Sequence, residues 1–199
     1  SLRYSSNYGI RENTNYYLYN IPEELDAPNE YYIDRENVLL YLYSEDDINN
    51  STVTVSLSNM PLVYGEKLSY VTFDGFTFEE SRNKGLEFKA CRNITVKNCT
   101  VKNVYSWAIS LDGYDNVVTG CDISHTGRGG IALSGGDNKT LTPSNSVAEN
   151  NLIHDWSEVY LTYNAGINMA GCGLTARHNE LARTPHVAIL YSGNDHLIE

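Results

Sequence analysis

Val71-Thr72-Phe73-Asp74-Gly75-Phe76-Thr77-Phe78 recurs as Ile94-Thr95-Val96-Lys97-Asn98-Cys99-Thr100-Val101, and again as Asn116-Val117-Val118-Thr119-Gly120-Cys121-Asp122-Ile123. Further copies run from Ser146 to Ile153 and from Leu174 to Leu181, and a sixth opens at His196. The matching positions Phe76, Cys99, Cys121, Asn151 and Asn179 stand 23, 22, 30 and 28 residues apart. A recurring period of this size marks a solenoid. The Leu-x-x-Leu-x-Leu pattern of leucine-rich repeats is absent, as is the 3.6-residue periodicity of helical repeats. The copies instead alternate apolar and polar residues, as strands do.

Each copy is followed by a second short strand: Gly85 to Ala90, Ala108 to Gly113, Gly130 to Gly135, Gly166 to Gly171 and Ala188 to Gly193. At least two strands per repeat, separated by Gly or Asn bends, predict an all-β fold: a right-handed parallel β-helix. Its coils of about 22 residues stack at the interstrand distance of ~4.8 Å. Ile109, Ile131, Ile167 and Ile189 are expected to form one inward ladder, and Phe88, Leu111, Leu133, Met169 and Tyr191 another. Cys99 and Cys121 fall in register and are expected inside the coil as free thiols, beside Phe76 and Asn151. Most Asn residues suit the bends, where Asn tolerates left-handed backbone.

Residues 1–65 do not follow the period and are crowded with tyrosine. Ile21 to Asp26 reads as a helical turn led by Pro22. Glu30 to Ile33 and Val38 to Tyr43 read as a hairpin around Asp34-Arg35-Glu36-Asn37. Thr52 to Leu57 alternates as a further strand, and Ser44 to Asn50 is a polar connector. The expected organisation is a small β-rich module over 1–65, packed on the side or mouth of the coil, and an incomplete β-helix over 66–199. A solenoid that stops within a rung at Glu199 reads as a segment of a longer chain, with the remaining coils as its natural partner.

Asp and Glu number 25 against 14 Lys and Arg, a net charge of −11. That balance argues against nucleic acid and anionic membranes, and against a strongly anionic substrate unless calcium intervenes. There is no apolar run long enough to insert in a membrane and no signal peptide. The four cysteines lack zinc spacing. The Asn-x-Ser/Thr triplets at Asn50, Asn93, Asn98 and Asn138 read as chance, Asn98 lying within a coil strand.

The two long repeats carry their extra residues in Asp137 to Asn145 and Asp155 to Asn164. Loops that interrupt neighbouring rungs tend to rise from one face and to carry function. The second loop brings Trp156, Tyr160 and Tyr163, aromatics suited to stacking on sugar rings or to sealing the loop onto the coil. Counting from the second strands gives polar columns beside them. One reads Arg92, Asp115, Asp137, Gly173, Asp195; another Ser106, Arg128, Asn164, His186; a third Lys89, Asp112, Ser134, Ala170, Ser192. Two rung steps put Asp137 and Asp195 ~9.5 Å apart, with Gly173 leaving the space between them open. Acid and base in an inverting glycosidase stand about 6.5–9.5 Å apart. Both Asp residues equally suit turns as caps of backbone amides. Arg128, flanked by glycines, shares its column with Asn164 and His186, all three suited to sugar hydroxyls, and His196 follows Asp195 and is placed to orient it. His125 and His154 read as turn residues.

Several strings resemble a known family. They are Gly135-Gly136-Asp137, Thr140-Leu141-Thr142-Pro143, Asn150 to His154, Leu161 to Ile167, Arg177-His178-Asn179, Pro185 to Ile189 and Gly193 to Glu199, with Asn20 to Asp26 and Tyr32 to Arg35 ahead of the coil. Together they resemble bacterial right-handed β-helix proteins related to glycoside hydrolase family 141. The resemblance implies a secreted or surface carbohydrate-active protein, in a family that includes fucosidase and xylanase activities, with catalytic carboxylates carried onto Asp137 and Asp195. The chain departs at Leu181-Ala182-Arg183, where Ile-His-Asp is usual, and at Asn138, where Arg is common.

The leading expectation is an inverting glycoside hydrolase without a cofactor, acting on a polysaccharide or oligosaccharide. Asp137 and Asp195 would be catalytic. Arg128, Asn164, His186, Tyr163, Trp156, Asp112 and His196 would bind substrate. One alternative is a polysaccharide lyase using Arg128 and His186, with calcium at Asp112, Asp115 and Asp137. The other is a coil that binds glycans without chemistry. The fold alone does not choose among them.

Overall fold

The computed structural model describes Glu12, Asn13 and residues 19–199. The chain divides into two compact units, Ser1–Val53 and Thr54–Glu199. Among the described residues no helix is long and apolar enough to cross a membrane.

In the first unit, Tyr31–Asp34 and Leu39–Leu42 form an antiparallel hairpin. Asp34 sets the turn, its Oδ1 accepting from the amides of Glu36 and Asn37 at 3.0 Å each. The Asn20 side chain imitates a third strand, accepting from Ile33 N at 2.7 Å and donating to Ile33 O at 3.1 Å. Pro22–Glu24 is a single 3-10 turn with proline leading it. The polar connector holds another short turn, Ile48–Asn50, capped by Asp47.

The second unit is a parallel coil with three strands per turn, winding around one apolar interior. The first strip comprises Thr77–Ser81, Thr100–Val104, Asp122–Thr126, Leu152–Trp156 and Glu180–Ala182. The second begins at Val63–Glu66 and continues through the start of Leu86–Lys97, then Ile109–Tyr114, Ile131–Gly135, Ala165–Cys172 and Val187–Asn194. The third comprises Ser69–Asp74, the end of Leu86–Lys97, Val117–Thr119, Val147–Glu149, Thr175–Arg177 and Leu197–Ile198. Thr52 to Leu57 is not a strand. Its alternation has no neighbouring strand to complete a ladder, and Val53, Val55 and Leu57 stay exposed.

Register, rather than propensity, builds the interior. Ile109, Ile131 and Ile167 pair rung on rung and are fully buried. Leu111, Leu133 and Met169 stack beside them. Each such side chain contributes roughly 1.5–3 kcal/mol by leaving water. Phe76 and Tyr191 depart from expectation and are mainly exposed. Each lies on or beside an edge strand of its sheet, so its column has a neighbour on one side only. Cys99 and Cys121 are buried free thiols as their spacing predicts, and burial pushes the Cys121 thiol up to about 11.

The corners are columns of left-handed residues. One reads Glu80, Asn103, His125, Asp155, Arg183, with φ of 61, 52, 50, 51 and 55°. Another reads Asn93, Asp115, Asn145, Gly173, Asp195, with φ of 55, 57, 57, 63 and 56°. Asparagine side chains stitch the layers, buried at Asn151 and half-buried at Asn179. The Asn151 side chain accepts from Cys121 N at 3.0 Å, and Asn179 Oδ1 accepts from Asn151 N at 3.1 Å.

Candidate functional site

The outward side chains of the second strip are small or polar in its middle rungs: Ser110, Ala132, Asn168 in one column and Asp112, Ser134, Ala170 in the next. Both inserted loops border this floor. Residues 136–143 leave after Ile131–Gly135, and residues 157–164 arrive before Ala165–Cys172.

On the side where 136–143 rises, the counted column needs correction. Asn145, not Asp137, holds the corner position in line with Asp115 and Gly173, since Asn145 N donates to Gly173 O at 3.0 Å and its side chain reaches Asp115 at 3.3 Å. Likewise Asn93, not Arg92, precedes Asp115, because Arg92 pairs with Tyr114. The eight extra residues lift Asp137 out of the stack. It closes the loop instead, bonding Thr142 through both backbone groups at 2.9 and 3.1 Å. The two-rung separation from Asp195 therefore does not apply. Nor does Gly173 leave an open space: a Cβ there would lie 2.3 Å from Pro143 Cβ, so the proline fills it.

The Cys172 sulfur donates to Asp195 Oδ2 at 3.9 Å, and the charge of Asp137 reaches the same thiol more weakly. The Cys172 thiol is pushed up by burial, by Asp195 and more weakly by Asp137. Asp137 Oδ1 accepts from the amides of Lys139 at 2.7 Å and Thr140 at 3.3 Å, which holds its carboxyl below the ordinary value. It is therefore a settled carboxylate, an acceptor rather than a proton donor. His196 does not orient Asp195. Its Nδ1 accepts from Leu174 N at 3.2 Å and its Nε2 donates to Ser192 O at 3.1 Å, which fixes the ring to the backbone.

On the other side, Ile131 pairs with Ile167 and Ala165 with Val187, and counting back along these ladders lines up Arg128, Asn164 and His186. Their roles differ. Asn164 Nδ2 donates to Tyr160 O and Thr162 O at 3.0 and 2.8 Å, so this side chain ties the loop together. His186 is exposed, packs against the Tyr163 ring at 5.2 Å and accepts from Tyr163 N at 3.4 Å. Tyr163 is 67% exposed and presents its ring to solvent. Trp156 does not. It is 1% exposed, packed in the interior with its indole donating to Asn164 O at 3.3 Å. It seals the loop onto the coil and offers no surface to a sugar.

Asp112 sits in the floor, accepting from Ser134 Oγ at 2.8 Å and Ala90 N at 2.9 Å. Asp115 faces Arg92 at 3.6 Å. The trio Asp112, Asp115 and Asp137 is not gathered around a common point. Among the described residues no group of three or more His, Cys, Asp or Glu is arranged to hold a metal.

One cluster was not legible as a site. His154, read as a turn residue, is mostly buried, with side-chain exposure of 17%. Its Nδ1 lies 2.7 Å from both Asp155 Oδ2 and Arg183 Nη2, and its Nε2 lies 3.2 Å from Asp122 Oδ1. Arg183 and His154 hold the Asp155 carboxyl far below its ordinary range. The signal was present in the departure at Leu181-Ala182-Arg183. There an arginine takes the corner position directly above Asp155 and turns the column into an ion pair.

Residues 37–199 match the model of the family described as right handed beta helix region. The search finds no match among curated proteins or solved structures. A match over more than half the chain, on a parallel coil with this register, makes the chain a member of the right-handed beta helix family.

Proposed function

We propose that this is a secreted or cell-surface bacterial carbohydrate-active protein that lays a polysaccharide across the second strip and hydrolyses it. Right-handed β-helix domains are common in carbohydrate-active enzymes and glycan-binding proteins. One observation carries the reading. The two inserted loops border the same strip, one bringing the Asp137 carboxylate and the other the exposed rings of Tyr160 and Tyr163, with Tyr160 set against Arg128.

In the hydrolytic reading Asp137, already ionised, draws the proton from water. Asp195 protonates the departing glycosidic oxygen. Arg128 and Tyr163 position the sugar. A second reading, glycan binding without chemistry, is favoured by the two amides already held by Asp137 and by Pro143 over Gly173.

Digestion of xylan, fucosylated and uronate-containing glycans separates the readings. Hydrolysis yields new reducing ends with no unsaturated uronide absorbance, and Asp137→Asn or Asp195→Asn lowers the rate by roughly 10²-fold or more. Retention of full rate by both variants removes these residues from catalysis. Unsaturated products mean a lyase, and binding without new ends means a glycan-binding coil.

A further inference from the structure

Arg128 is placed with unusual care for a surface arginine. Gly127 and Gly129 flank it because nothing larger fits. A Cβ on Gly127 would lie 2.1 Å from Tyr105 O, and one on Gly129 would lie 2.2 Å from Trp107 Cζ3 and 2.4 Å from Ala165 O. The Arg128 carbonyl accepts from Ser157 N at 2.7 Å and Ser157 Oγ at 3.0 Å. Gly127 O accepts from Val159 N and Tyr160 N at 3.2 and 2.9 Å. Loop 157–164 is thus fastened to the residues around Arg128, and it brings Tyr160 to the arginine. The guanidinium carbon stands 4.3 Å from the Tyr160 ring centroid, a cation–π contact. Tyr160 Oη bonds Tyr105 Oη at 2.9 Å.

The guanidinium has no ion pair among the described residues, in a chain of net charge −11. Arg92, Arg177 and Arg183 all face carboxylates. A tyrosine ring fixes the plane of Arg128 without neutralising its charge, and leaves edge N–H groups able to meet a carboxylate in two-point fashion.

We infer that Arg128, oriented by Tyr160, is a carboxylate-recognition subsite, and that the glycan held on the second strip bears uronate residues. This rests on the glycan reading above and names the class of glycan. The acidic balance of the chain does not forbid it. Charges elsewhere on the surface are screened over about 8 Å at physiological ionic strength, whereas a paired contact is local. The Tyr160 phenol, held below its ordinary value by Tyr105 and Arg128, is consistent with an arginine whose charge is felt at the site.

The test is calorimetric titration of the whole chain with uronate-bearing oligosaccharides and with the same oligosaccharides after carboxyl reduction to neutral sugars. The expected result is tighter binding of the uronate form. Arg128→Gln is expected to lose roughly tenfold or more toward that form beyond whatever it loses toward the neutral form. Tyr160→Phe keeps the ring and is expected to retain the preference. Thermal unfolding checks that each variant is folded. If Arg128→Gln is not, the salt dependence of the wild-type preference decides, and the preference is expected to shrink as salt rises. Equal binding of both forms, a parallel loss of both in Arg128→Gln, or a preference indifferent to salt overturns the uronate assignment while leaving the glycan face standing. No binding of either form overturns the glycan reading itself.

Discussion

Two arginines two rungs apart show how the same residue serves two ends on this coil. Arg183 lies on a left-handed corner above Asp155 and is saturated. Its Nε and Nη2 reach the Asp155 carboxylate at 2.9 and 2.8 Å, and Nη2 also meets His154. Arg128 lies three residues past the corner at His125, between glycines, and meets a phenol ring in place of a carboxylate. The first holds rungs to one another. The second keeps its charge available at the edge of an open strip. A side chain with all its partners supplied by adjacent layers is structural; one whose geometry is fixed while its charge is left unmatched is a place for a ligand.

The comparison breaks most visibly at the glycines. Gly129→Ala is expected to cost roughly 1–3 kcal/mol by overpacking, read in urea unfolding, because Trp107 and the Ala165 carbonyl bound the space. No loss of stability would mean that the close approach does not position Arg128.

Arg183→Gln sharpens the other half. The depressed Asp155 carboxyl adds stability that is present above the ordinary carboxylate value of 3.8 and is lost as pH falls through its lower folded value. Removing Arg183 is therefore expected to lower the unfolding midpoint at neutral pH and to flatten its fall on acidification, with a modest effect because the pair is near solvent. Oligosaccharide binding is expected to be unchanged. A binding loss equal to that of Arg128→Gln would erase the distinction between the two arginines.

A smaller effect is spectroscopic. The Tyr160 phenol is held below its ordinary 10.0, by Tyr105 first and Arg128 next. In Arg128→Gln its ionisation, followed by near-ultraviolet absorbance against Tyr160→Phe, is expected to move upward. The smallest concerns the interior both arginines depend on. The Cys121 thiol, pushed up to about 11 by burial, is expected to resist alkylation in the native protein and to react on unfolding.

The period was readable because every rung places the same residue type over its counterpart, so the Ile and Leu columns, the stacked cysteines and the Arg128–Asn164–His186 column follow from counting. Counting fails where a loop changes the rung length. Asp137 leaves the stack there, and Asn145 takes the corner. It also says nothing of which way an inserted aromatic turns, and Trp156 turned inward while Tyr163 turned out. The edge residues Phe76 and Tyr191 share the inward pattern but lack a second neighbour. The apolar alternation at Thr52 to Leu57 looked like a strand because a period of two carries no information about whether a partner strand exists.

The most direct test is a crystal structure of the chain with a bound uronate-bearing oligosaccharide. The sugar is predicted on the second strip, over Ser134 and Ala170, between the Asp137 loop and Tyr163, with a carboxylate against Arg128. A sugar on the first strip beside His154 and Asp155, or on the second strip with Arg128 pointing away from it, would contradict the account.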